Sequence, residues 1–174
     1  MKLSEVPVEV VSMKIFSEKL KLTFFINMYG LVKIPLVLFI GPRVVESTAQ
    51  KFILKVPLSR RVKNHLNSMY FGALAIGAEL SIAAAAVVAI TESKQKIDFV
   101  FKDFKADFLK RGEGDVFFVF EDVETVVQLI QDSLSSEERL EKKMKGYAYV
   151  PTKSSEPIMT YELTLSVKNR SKKS

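Results

Sequence analysis

The 174-residue chain has no cysteine, no tryptophan and a single histidine, with only seven glycines and six prolines. Without cysteine there is no disulfide, no thiolate metal site and no cysteine nucleophile. With His65 alone, a multi-histidine zinc site is excluded. A serine–histidine pair would have only that one base to draw on, and His65 reads as an exposed loop residue. No metal and no redox cofactor is expected. The excess of basic charge is small once its position is considered. The net charge is +6, but Lys168, Arg170, Lys172 and Lys173 supply four of those charges, so residues 1–167 carry only +2. A basic run after the last strand reads as a solvated terminus, so no nucleic-acid partner is expected.

Long uninterrupted apolar runs are also few. Leu22 to Ile40 is broken by Asn27, Lys33 and Pro35. Gly72 to Ile90 is 19 residues long, but it carries Glu79 near its middle and is rich in alanine and glycine. A mid-bilayer carboxylate is costly, so this segment reads as an enclosed core helix, not a transmembrane segment. The N-terminal MKLSEVPVEVVSMK lacks the continuous apolar stretch of a secretory signal. A cytoplasmic protein is expected.

What is present suits a folded domain: 48% hydrophobic and 26% charged residues. Helical spacing runs from Met13 to Tyr29, with Met13, Phe16, Leu20 and Phe24 on one face. A short helix over Pro35–Phe39 follows, closed by Gly41-Pro42. Arg43 to Leu58 reads as a hairpin turning at Ser47–Gln50. Phe52, Leu54 and Val56 point one way; Lys51, Ile53 and Lys55 point the other. A polar connection, Ser59–Ser68, leads to the apolar helix. Lys96 to Leu109 alternates as a strand whose pattern slips near Asp103, which predicts a bulge. Gly112–Asp115 is a turn, Val116–Phe120 a strand, and Val123–Leu134 an amphipathic helix. Ser135–Lys145 reads as a charged connection, and Tyr147–Val150 and Ile158–Val167 as the closing strands. The pattern divides into an N-terminal helical extension (1–42), a sheet-and-helix domain (43–167) and a basic tail (168–174). An apolar helix followed by antiparallel strands predicts an α+β fold in which one curved sheet wraps that helix.

One stretch carries candidate chemistry: Asn64-His65-Leu66-Asn67-Ser68-Met69-Tyr70-Phe71-Gly72, followed by Glu79. It resembles the region of hotdog-fold acyl-CoA thioesterases in which an asparagine precedes a His-Gly-Gly turn that opens the central helix. In that resemblance Asn64 falls on the asparagine, Tyr70 on the histidine, Phe71 and Gly72 on the two glycines, and Glu79 on the catalytic carboxylate. Tyr-Phe-Gly replaces His-Gly-Gly, and Asn67 stands where a glycine is common. The pattern is closer to a hotdog branch labelled as a domain of unknown function.

The resemblance implies a homodimer, or a dimer of dimers, with interface sites that hydrolyse acyl thioesters. Glu79 would be the base and Asn64 would hold the water or the carbonyl. Tyr70, Phe71, Gly72 and Asn67 would form the substrate and oxyanion side. Helix N-terminal N–H groups suit that last role because they point outward and carry partial positive charge. Lys110 and Arg111 are candidates for the phosphates of coenzyme A, which enters only as part of the substrate. Other readings stay open. Asn64 would serve equally as a cap, Tyr70 as packing, and Lys110-Arg111 as a solvated turn. A non-catalytic acyl- or lipid-binding hotdog protein would keep the same cavity without the chemistry.

Overall fold

The computed structural model describes the backbone of residues 8–171 and the side chains of residues 18–171. Along the chain run α1 (Val8–Lys33), α2 (Pro35–Ile40), β1 (Arg43–Ser47), β2 (Phe52–Val56), α3 (Phe71–Ser93), β3 (Ile97–Phe108), β4 (Val116–Phe120), α4 (Val123–Ser135), β5 (Leu140–Val150) and β6 (Ser154–Asn169). The six strands form one antiparallel sheet in the order β1-β2-β4-β5-β6-β3. The sheet curves around α3 and leaves β1 and β3 as its edges. This is the hotdog arrangement.

Alternation explains most of the core. Phe52, Leu54 and Val56 of β2, Phe118 and Phe120 of β4, and Leu163, Leu165 and Val167 of β6 are buried together. Ile53 departs from the expected pattern. It faces away from them yet is buried too, beside its cross-strand partner Val119. The small residues of α3 let the sheet approach its axis. A Cβ built on Gly77 would sit 2.4 Å from the ring of Phe118, so that ring occupies the space a side chain would need. Buried polar groups are paired: Ser81 Oγ and Tyr161 Oη lie 2.8 Å apart between α3 and β6. Val126, Leu129, Ile130 and Ser133 turn one face of α4 inward.

Three segments differ from the sequence reading. The first is α1, whose Leu20 and Phe24 lie on the expected apolar face yet are exposed. The body-facing side carries Ile26, Thr23 and Asn27 instead. Thr23 Oγ1 accepts the Val44 N–H at 2.9 Å, and Asn27 Nδ2 donates to the Pro42 carbonyl at 3.0 Å. Apolar and polar residues are spread around the helix with no dominant face, so spacing does not single out the docked side. Met13 and Phe16 carry side chains outside the described residues. Second, the charged stretch Ser135–Lys145 is strand from Leu140 onward. Its charges are cross-strand partners: Lys143 and Lys145 both meet Glu162, and Glu141 meets Lys102. Third, β6 continues two residues past Val167. Arg170 donates its N–H to the Lys96 carbonyl at 2.7 Å and pairs with Asp98 at 2.8 Å. Lys172 and Lys173 lie outside the described residues.

The bulge expected near Asp103 is present: the β3–β6 register shifts between Phe101 and Phe104. Asp103 closes it by accepting the Thr164 N–H at 2.9 Å and the Thr164 hydroxyl at 2.7 Å. Beyond the bulge, Phe104 and Phe108 of this edge strand are exposed.

Candidate active site

The loop before α3 is tied down at both ends. Met69 donates its N–H to the Gly112 carbonyl at 2.8 Å, and Tyr70 donates to the Val62 carbonyl at 2.7 Å. Between them Asn67 adopts a left-handed φ of 59°. Asparagine is one of the few non-glycine residues that tolerates this region. It therefore supplies a left-handed turn that glycine would adopt without strain.

Asn64 serves this loop. Its Oδ1 accepts the N–H of Leu66 at 2.9 Å and of Ser68 at 3.2 Å, and its Nδ2 reaches the Ser68 hydroxyl at 3.0 Å. Its side-chain carbonyl is thus spent on a local Asx-type turn. Within the protomer it lines no cavity with Glu79. His65 is exposed on the same loop.

Helix α3 opens at Tyr70, whose side chain makes no capping bond. Among the described residues, the N–H groups of Phe71, Gly72 and Ala73 donate to nothing. Such orphan donors, with the positive end of the helix dipole behind them, form a ready anion site. The space above Gly72 is not simply open: a Cβ there would meet the Tyr70 ring at 2.7 Å. A side chain at that position would have to displace the Tyr70 ring, which folds back over the first turn. The Phe71 ring lies tilted against that of Phe108, 5.3 Å between centroids, which joins the helix start to the far end of β3.

Glu79 lies seven residues beyond Gly72, close to two full turns, so the two share a face about 10 Å apart along the axis. The side chain leans back toward the helix start. It is exposed in the protomer, where the sequence suggested enclosure. Its surroundings are nevertheless apolar, and loss of water pushes its carboxyl above the usual carboxylate range. No hydrogen bond or ion pair compensates it among the described residues. Lys102, which lines the same small cleft, holds Glu141 instead at 2.9 Å.

Glu79 also sits on the wall of a larger hollow of about 690 Å³ between α1, α3 and β3. Its walls include Phe25, Ile26, Tyr29, Leu80, Phe99 and Phe101. A second hollow of about 820 Å³ lies toward α4 and the β1–β2 turn. The two share Leu22, Phe52, Val88 and Glu92, so the apolar space continues past α1. The contribution of α1 to these walls was not legible in the sequence, because it depends on which side of a helix with no dominant apolar face docks. Among the described residues no group of acidic or histidine side chains could hold a metal.

Lys110 and Arg111 line a shallow cleft near the α3 entrance, joined to it through the Met69–Gly112 bond. Lys110 is paired with Glu156. Lys153 in the same cleft is paired with Glu113. Arg111 has no partner among the described residues and is the stronger phosphate candidate of the two.

A family model described as a domain of unknown function (DUF4442) matches residues 24–166. No curated protein matches in sequence. Solved structures share the fold. A protein with unknown function from Chlorobaculum tepidum superposes with a TM-score of 0.74 at 11% identity, over 86% of this chain and 96% of that one. A protein of unknown function from Pseudomonas aeruginosa gives 0.68 at 21% identity, over 85% and 96%. A thioesterase family protein from Silicibacter pomeroyi gives 0.61 at 16% identity, over 84% and 98%.

Proposed function

For this chain, which belongs to the DUF4442 family and carries the hotdog fold, we propose hydrolysis of an acyl thioester, with acyl-CoA as the substrate class. One observation carries the reading: Glu79 is an uncompensated carboxylate on an apolar helix face that begins with free N–H donors. The likeness to the Silicibacter thioesterase family protein supports it at the level of fold.

In this reading the thioester carbonyl sits at the start of α3. The N–H groups of Phe71 and Gly72 hold its oxygen and stabilise the negative charge of the tetrahedral intermediate. Glu79 removes a proton from water as that water attacks the carbonyl carbon, and the thiolate leaves. A carboxylate with a raised pKa is a better base at neutral pH than an ordinary one. The acyl chain lies in the apolar hollow beside α1. Arg111 faces the phosphates of the coenzyme.

The active form is a homodimer. The unpaired edge of β3, and exposed Phe71, Val100, Phe104 and Phe108 along it, support pairing of β3 with its copy. Glu79 then acts at the α3 N-terminus of the partner, which encloses a carboxylate that is open in the single protomer. Local use of the Asn64 side chain favours a second reading. If nothing orients the water, the same cavity binds acyl chains without turning them over.

The test is thiol release from a panel of acyl-CoA thioesters by the full chain. Wild type should turn over at least one of them, and Glu79→Gln should lose about 10²-fold or more with fold and mass unchanged. Equal rates for the two proteins contradict the assignment of the base. A bound acyl ligand in native mass spectrometry with no thiol release selects the second reading.

A further inference from the structure

The alanine run of α3 leaves space along the helix. Glu79, Ala83, Val87 and Thr91 recur at steps of four residues, and so do Leu80, Ala84, Val88 and Glu92. The two rows therefore lie side by side, and both line the hollow beside α1. Ala83 and Ala84, in the middle of the rows, are too small to fill it. The space does not end with the rows. Val88 and Glu92 also face the second hollow, which continues against Ala85 and Ala89 of α3 and Val127 of α4. Leu22 and Phe52 face both spaces as well. With Val88 they form the waist between the two.

Length and charge describe what fits. Glu92 lies 13 residues beyond Glu79, about 20 Å along the helix axis. An extended carbon chain, with bonds of about 1.5 Å, advances about 1.3 Å per carbon. About 15 carbons therefore span that distance. Val88 stands about 14 Å from Glu79 along the axis, level with about the tenth carbon. The first hollow has Glu79 and Glu92 on its wall and no cation among the described residues. The second adds Glu18 and Glu124 against one cation, Lys19. Such walls suit a neutral hydrocarbon tail. A tail ending in a second carboxylate would lose water and meet like charge.

We infer that the two hollows form one acyl channel for uncharged chains of about 14–16 carbons, with Val88 at the waist as the residue that sets the length. The inference rests on the proposed placing of the thioester carbonyl beside Glu79, which fixes where the chain starts. Val88 is only half-buried, so a larger side chain there enters the channel without displacing the core of the sheet.

The test is calorimetric binding of 2-oxoalkyl-CoA thioethers to the full chain. These ligands keep the carbonyl but have no thioester bond to break. Affinity should tighten about tenfold for each two carbons added and level off at about 14–16 carbons. Val88→Phe should level off at about ten carbons. It should bind the palmitoyl-length ligand at least about 100-fold more weakly than wild type, and the octanoyl-length ligand equally well. A terminal carboxylate on the palmitoyl-length ligand should weaken binding to wild type at least about tenfold, and Glu92→Gln combined with Glu124→Gln should recover part of that loss. Wild-type affinity that already levels off by about ten carbons, or no binding at any length, overturns the inference whether or not Val88→Phe folds. So does a Val88→Phe protein that binds both lengths as wild type does, or that weakens both equally with an unchanged circular dichroism spectrum. Because no bond is broken, these outcomes are separate from catalysis. Hydrolysis without length dependence removes the channel alone, and length-dependent binding without hydrolysis removes the proposed reaction alone.

Discussion

Glu79 shows how one side chain sets a direction for pH dependence. Its carboxyl is raised in the folded chain because apolar neighbours displace water from it. Between the ordinary carboxylate value and the raised one, the folded chain holds a proton that the unfolded chain has released. Stability contributed by that proton is present below the window and lost as pH rises through it. Urea denaturation from about pH 4 to 8 should show this loss in wild type. Glu79→Gln should flatten it and come out more stable than wild type at the upper end. The same slope in both proteins would mean that Glu79 is as well solvated folded as unfolded. The position of this acid was legible in the sequence, as a charge inside an apolar run. Its exposure was not, because that depends on β3 being an edge. Asn64 and Asn67 were legible as a motif, but their work here is to shape the backbone: one staples the loop, and the other supplies its left-handed turn.

At the scale of elements, the close approach of α3 to the sheet is the feature most open to perturbation. The ring of Phe118 is fully buried and already fills the space at Gly77. Gly77→Ala should destabilise the protein by about 1–3 kcal/mol through overpacking, despite alanine's better helix propensity. In a background of Phe118→Leu the same change should cost clearly less, and a double-mutant cycle by urea denaturation measures the difference. Additive costs would mean that the helix and β4 do not touch there. Elements with a strong period were legible: α3, α4, β2 and the bulged β3 fall where their patterns put them. β5 was hidden because Lys142, Lys143 and Lys145 carry charges that look like a loop until Glu162 and the buried Met144 are placed beside them. The docked side of α1 was hidden for a different reason, since its apolar and polar residues are spread around the helix with no dominant face.

For the whole molecule, the proposed catalysis requires two copies to meet along β3. Phe104→Glu puts a charge on the exposed side of that edge, where the proposed pairing of β3 with its copy would bury it unpaired. Light scattering should show the mass fall from dimer to monomer, with thioester hydrolysis lost in parallel and the spectrum of the folded chain retained. A dimer that survives this change would place the interface elsewhere. Across the molecule, sequence periodicity suffices for one curved sheet around one helix. It does not say which apolar faces are covered by the chain itself and which await a partner, because that is decided by surfaces outside the chain.

The proposed role of Glu79 as the base is tested by the pH dependence of kcat/KM for thioester hydrolysis measured beside an NMR titration of the Glu79 carboxyl in the same protein. The rate should rise with deprotonation and follow the Glu79 titration above the usual carboxylate range. A rate that stays level through that titration, or that follows another group, would contradict it.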